Sequence, residues 1–94
     1  ETDGYAVTVD DDAMVAAVCE VGAATGIFAE PAAAAAYAGM RAAQSENRIS
    51  PDDTALLLVT GSGLKDVDAV SDTVTSSPPV APSLDALRAV VQEM

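Results

Sequence analysis

Ninety-four residues can build one small domain and no more. Fifteen acidic against four basic residues leave a net charge of −11, which repels nucleic-acid phosphates and anionic lipid and argues against nucleic acid and membrane as partners. With no histidine and one cysteine, the chain has no internal disulfide and almost no ligands for a structural zinc.

Half of the residues are hydrophobic, yet alanine supplies much of that half and aromatics are 3%. Alanine removes little area from water, and at roughly 25 cal/mol per Å² an alanine-rich core stabilises weakly. The chain is therefore expected to lean on a neighbour, another domain or another copy of itself. Acids that are mostly aspartate, with a single lysine in an apolar-rich sequence, read as a salt-adapted, halophilic surface rather than as disorder. A lone cysteine, no visible signal peptide and no apolar run of bilayer length point to the cytoplasm. A start at Glu1 rather than methionine reads as a removed segment or as a piece of a longer protein.

Tyr5-Ala6-Val7-Thr8-Val9 alternates large and small residues and predicts a short edge strand. Asp10-Asp11-Asp12 then predicts an N-cap and a negative first turn. The helix behind it carries Met14, Val18 and Val21 on one stripe, with Val15 and Cys19 beside them and Gly26 as its stop. Cys19 is expected in the core rather than as a reactive thiol. Glu30-Pro31 opens a second helix, from about Pro31 to Glu46, because proline is tolerated in a first turn. The run Ala32 to Ala36 favours that helix and, with Gly39, lets a partner backbone come close.

Ser50-Pro51-Asp52-Asp53 predicts a turn. Thr54 to Thr60 predicts an interior parallel strand, since Leu56, Leu57, Leu58 and Val59 in succession require burial on both faces. So short a chain offers such a strand too few neighbours, which marks it as a portion of a larger α/β sheet. Residues 71–82, ending in Ser77-Pro78-Pro79-Val80-Ala81-Pro82, read as an extended linker. Residues 83–94 read as a terminal helix capped by Ser83, with Leu84, Leu87, Val90, Val91 and Met94 on one stripe.

Gly61-x-Gly63 with Lys65 lacks the spacing of a phosphate loop, which needs four residues before Gly-Lys and a hydroxyl after it. Two readings of Thr60 stand. One is a ligand contact at the carboxyl end of a sheet strand; the other is a strand-end threonine bonding its own backbone. The aspartates at 10 to 12 lack the alternating ligands and glycine of a calcium loop, and no metal site is expected.

Phe28-Ala29-Glu30-Pro31-Ala32-Ala33-Ala34, Ala38-Gly39-Met40, the Ser50 to Asp53 turn and Val59-Thr60-Gly61-Ser62-Gly63-Leu64-Lys65-Asp66 resemble the C-terminal part of the threonine synthases. These belong to the pyridoxal-phosphate family that includes the tryptophan synthase β chain and threonine dehydratase. The resemblance implies an α/β fold, the C-terminal part of the large domain of a fold type II pyridoxal-phosphate enzyme. The chain would then be one partial domain holding an edge strand, two helices, an interior parallel strand and a terminal helix.

It further implies that the parent binds pyridoxal phosphate, with the Thr60 hydroxyl at the pyridine nitrogen, Gly61 letting the cofactor approach and Glu30 facing the ring. A helix-start carboxylate satisfying its first turn explains Glu30 equally well. The Schiff-base lysine and the glycine- and asparagine-rich phosphate loop lie upstream in the family. Lys65 reads instead as a solvated lysine loosely paired with Asp66 or Asp68. No catalytic residue is thus expected here, and the chain alone is expected to be inactive. The implied parent reaction converts O-phosphohomoserine and water to threonine and phosphate. The alternatives are a threonine or serine dehydratase, and a non-catalytic acidic module that self-associates. Expected partners are the remainder of the chain's own catalytic domain and a second copy docking through Leu56 to Val59.

The salt-adapted surface makes a direct prediction. The thermal midpoint should rise from low to molar salt, and an unchanged midpoint in calorimetry would remove the halophilic reading.

Overall fold

A computed structural model describes residues 2–93. Its first regular element begins where the acids begin. The Asp10 carboxylate accepts the Ala13 N–H at 2.7 Å, and helix α1 (Asp11–Thr25) follows. Asp11 and Asp12 put negative charge at the positive end of the helix dipole. Gly26 ends the helix in the left-handed conformation, φ 75°, returning its N–H to the Gly22 carbonyl.

Helix α2 (Pro31–Ser45) starts on its proline, and its end is closed by Asn47 at φ 58°, a conformation asparagine tolerates. The two helices are joined by residues 26–30 and pack on each other through Ala17 and Val18 on one side and Ala33, Ala34 and Ala38 on the other. Small side chains let the backbones come close, but they bury little area. The largest residues in the core are valines, worth about 1.5–3 kcal/mol each when fully buried.

The rim of the helix pair is polar. The Tyr37 hydroxyl donates to Glu20 at 2.9 Å, and Arg41 reaches both Glu20 and the Tyr37 oxygen. The hydrogen bond to Tyr37 raises the Arg41 guanidinium above its ordinary value, with the charges of Tyr37 and Glu20 adding to it.

Helix α3 (Asp68–Ser71), which sequence patterning does not predict, packs Val70 into the same core against α1. Residues 72–82 carry no regular structure, and helix α4 (Leu84–Gln92) follows, capped by the Ser83 hydroxyl. None of the α4 residues is buried, and Leu84, Leu87 and Val91 are exposed. Met94, expected on that stripe, lies outside the described residues. No helix among the described residues is long and apolar enough to cross a membrane.

Three expectations are corrected. The edge strand Tyr5 to Val9 and the interior strand Thr54 to Thr60 run as extended backbone without a ladder; the described residues hold one isolated antiparallel bridge. A strand needs a neighbour for its N–H and C=O groups, and these residues supply none. Leu56, predicted to be buried, is accordingly 88% exposed. Cys19 is exposed rather than in the core; its sulfur lies 3.5 Å from the Thr73 hydroxyl, beside α3. The Ser50 to Asp53 turn forms as expected, with Ser50 N–H donating to the Asp53 carboxylate at 2.8 Å.

Two glycines should respond oppositely to alanine. A Cβ at Gly39 meets nothing within 4 Å, so Gly39→Ala in α2 should stabilise by about 0.5–1 kcal/mol. A Cβ at Gly63 would overlap the Phe28 ring, so Gly63→Ala should destabilise by about 1–3 kcal/mol. Urea denaturation of the two variants checks both signs.

Candidate functional site

The stretches Phe28–Glu30 and Gly61–Gly63, far apart in sequence, meet backbone to backbone. Gly63 N–H donates to the Phe28 carbonyl at 2.8 Å, and Glu30 N–H donates to the Gly61 carbonyl at 3.1 Å. Ala29 and Ser62 face each other across this bridge, and Ala29 is wholly buried. The pairing suits the sequence on both sides. Alternate residues of a paired segment share a face, so Phe28 and Glu30 lie over the two glycines. A Cβ at Gly63 would overlap the Phe28 ring, and a Cβ at Gly61 would overlap the Glu30 carboxyl group.

The chain then turns sharply. The Ser62 hydroxyl accepts the Leu64 N–H at 3.2 Å and caps the 3-10 turn Gly63–Lys65. On the other side, the Glu30 carbonyl accepts the N–H groups of Ala33 and Ala34 and starts α2. The Glu30 side chain makes no capping bond. It packs on Gly61 instead, so a carboxylate satisfying its own helix start is not what this geometry contains.

The three residues singled out in the sequence therefore come together. Glu30 and Gly61 touch, and Thr60 precedes Gly61 at the end of the extended segment. Thr25 and Thr73 each turn their hydroxyls onto a backbone carbonyl at 2.7 Å. The exposed Thr60 hydroxyl makes no such bond among the described residues and keeps its donor and its lone pairs for another group. Gly61 offers less open space than its lack of a side chain implies, because Glu30 lies over it.

Lys65 stands exposed on the 3-10 turn. Arg41, Arg48 and Arg88 each hold a carboxylate, at 3.2, 3.1 and 3.8 Å. Lys65 holds none among the described residues, so the loose pairing with Asp66 or Asp68 does not form as a contact. The residues that sequence reasoning missed are Phe28 and Ser62, which fix the two ends of the turn. Their signal lies in the spacing: Phe28-x-Glu30 opposite Gly61-x-Gly63 sets large side chains against absent ones.

The chemistry of these residues is compatible with one edge of a pyridoxal-phosphate ring. They offer a free neutral hydroxyl, a carboxylate and a glycine backbone, but no glycine-rich cradle for a phosphate. The profile of the family described as pyridoxal-phosphate dependent enzyme matches residues 1–61. Among curated proteins, the chain is 34% identical over 83 residues to a threonine synthase of Halalkalibacterium halodurans, covering 88% of this chain and 23% of that protein. It is 32% identical over 91 residues to the threonine synthase of Methanocaldococcus jannaschii, covering 97% and 22%. It is 34% identical over 92 residues to that of Mycobacterium leprae, covering 98% and 25%. The chain thus spans about a quarter of the length of these relatives. It belongs to the family of pyridoxal-phosphate dependent enzymes.

Proposed function

We propose that the chain is the C-terminal portion of a threonine synthase, which converts O-phosphohomoserine and water to threonine and phosphate. The observation that carries this reading is the junction of Glu30 with Gly61 beside the unbonded Thr60 hydroxyl, in a chain whose relatives are named threonine synthases. When bound, pyridoxal phosphate supplies the electron sink for the reaction.

The chain's own residues orient that group. Thr60 would meet the pyridine nitrogen with a neutral hydroxyl, which could donate to it without the charge that would favour its protonation. Glu30 would border the ring and, packed on Gly61, keep the turn that carries Thr60 in one conformation. Gly61 contributes its backbone and, by lacking a side chain, leaves Glu30 room to lie there. The one lysine, Lys65, sits beyond the turn and is not read as the residue that anchors the cofactor covalently. The chain alone is therefore read as inactive.

The uninterrupted enzyme should release threonine and phosphate in equal amounts from O-phosphohomoserine. Oxo-acid formation from threonine or serine, with no phosphate released, would overturn the reading in favour of a dehydratase. In that enzyme Thr60→Ser should keep the cofactor absorbance and most of kcat. Thr60→Val, which removes one hydrogen bond, should lose about tenfold in kcat/KM. Gly61→Ala should weaken cofactor binding by displacing Glu30, and Glu30→Ala should restore part of that loss in the double variant. Additive losses in a fluorescence titration of the cofactor would show that the two residues are not coupled.

A further inference from the structure

Thr60 has no bond of its own to aim it. Its hydroxyl is unbonded among the described residues, and the backbone of residues 54–60 leading to it pairs with no other backbone there. The first fixed points after it are Gly61, whose carbonyl accepts the Glu30 N–H at 3.1 Å, and Gly63, whose N–H reaches the Phe28 carbonyl at 2.8 Å. Two glycines in three residues make a freely rotating tether, so the direction of Thr60 depends on what restrains them. One side chain restrains each: the Glu30 carboxyl group lies over Gly61, and the Phe28 ring lies over Gly63.

The two covers differ in kind. Glu30 is a half-buried carboxylate, open to water. Phe28 is apolar, keeps 37% of its surface exposed, and leaves Gly63 buried beneath it. Its ring thus keeps water from the Gly63 N–H bond, which is stronger for being dry. We propose that Phe28 is a positioning residue for the reaction: its ring on Gly63 holds the backbone that sets the direction of the Thr60 hydroxyl. The proposal rests on the reading of Thr60 as the contact to the cofactor ring and deepens it. In this role Phe28 touches neither cofactor nor substrate. It acts through Thr60, whose hydrogen bond is lost when its hydroxyl is displaced or turned away.

A double-variant cycle in the uninterrupted enzyme tests this, with Phe28→Ala, Phe28→Leu and Phe28→Tyr made alone and together with Thr60→Val. Phe28→Ala and Thr60→Val should each lose about tenfold in kcat/KM, and the pair should lose about tenfold rather than about a hundredfold. Phe28→Leu keeps an apolar cover and repeats the cycle in a variant that is less perturbed; it should lose about threefold alone and nothing further beside Thr60→Val. Phe28→Tyr keeps the ring and should match the unsubstituted enzyme. Cofactor affinity in a fluorescence titration should follow the same order. The amides of Gly63 and Glu30 should exchange at least about tenfold faster in Phe28→Ala, while those of α1 and α2 stay protected. A loss of about a hundredfold in the double variant would overturn the proposal, because Phe28 would then act independently of Thr60. So would a Phe28→Ala enzyme with a lowered thermal midpoint but unchanged kcat/KM and cofactor affinity, the mark of a merely structural ring. Coupling that persists in an enzyme forming an oxo acid without phosphate release would support the role of Phe28 and overturn the proposed function instead.

Discussion

Two backbone hydrogen bonds, from Gly63 N–H to Phe28 and from Glu30 N–H to Gly61, are the constraint on which the arrangement depends. They tie the loop between the two long helices to the end of the extended segment. They can form only because the residues opposite Phe28 and Glu30 have no side chains. Ala29 is buried within that contact, and α2 and the 3-10 turn begin on either side of it. The position of Thr60 follows too, since it is the last residue before the paired backbone begins.

The rest of the structure is lightly built. A core of alanine with a few valines holds α1, α2 and α3 together, and among the described residues no large side chain is fully buried. Close helix packing and a polar rim of Glu20, Tyr37 and Arg41 do part of the work that large apolar residues do elsewhere. The chain spans 62 Å along its longest axis, and α4 buries none of its residues. Apolar surface at Leu56, Leu58, Leu84 and Leu87 faces outward. The match to the pyridoxal-phosphate dependent enzymes over residues 1–61 places this lightly built chain in a fold type II family.

Much of the local structure was legible in the residues. Asp10 and Ser83 cap helices because their side chains reach the N–H groups of the first turn, three residues on. Gly26 stops α1, and Ser50 to Asp53 turns, for equally local reasons. Thr60, Gly61 and Glu30 are singled out by resemblance to matched motifs, and no local pattern in the sequence places them together. Cys19 shows the limit of periodicity. A position beside an apolar stripe is exposed or buried according to what packs there, and what lies beside Cys19 is the polar Thr73.

The sequence by itself determined where α1, α2 and α4 begin, where α1 stops, the turn at Ser50 to Asp53, and the kinship with pyridoxal-phosphate enzymes. Each of these depends on residues within a turn or two of one another, or on a motif read along the chain. Only the tertiary structure decided that Glu30 covers Gly61, that Phe28 covers Gly63, and that Leu56 to Val59 have no neighbouring strand among the described residues. Those outcomes depend on which distant backbone comes within hydrogen-bonding reach. A strand's burial is settled by what covers it, however apolar its own side chains are.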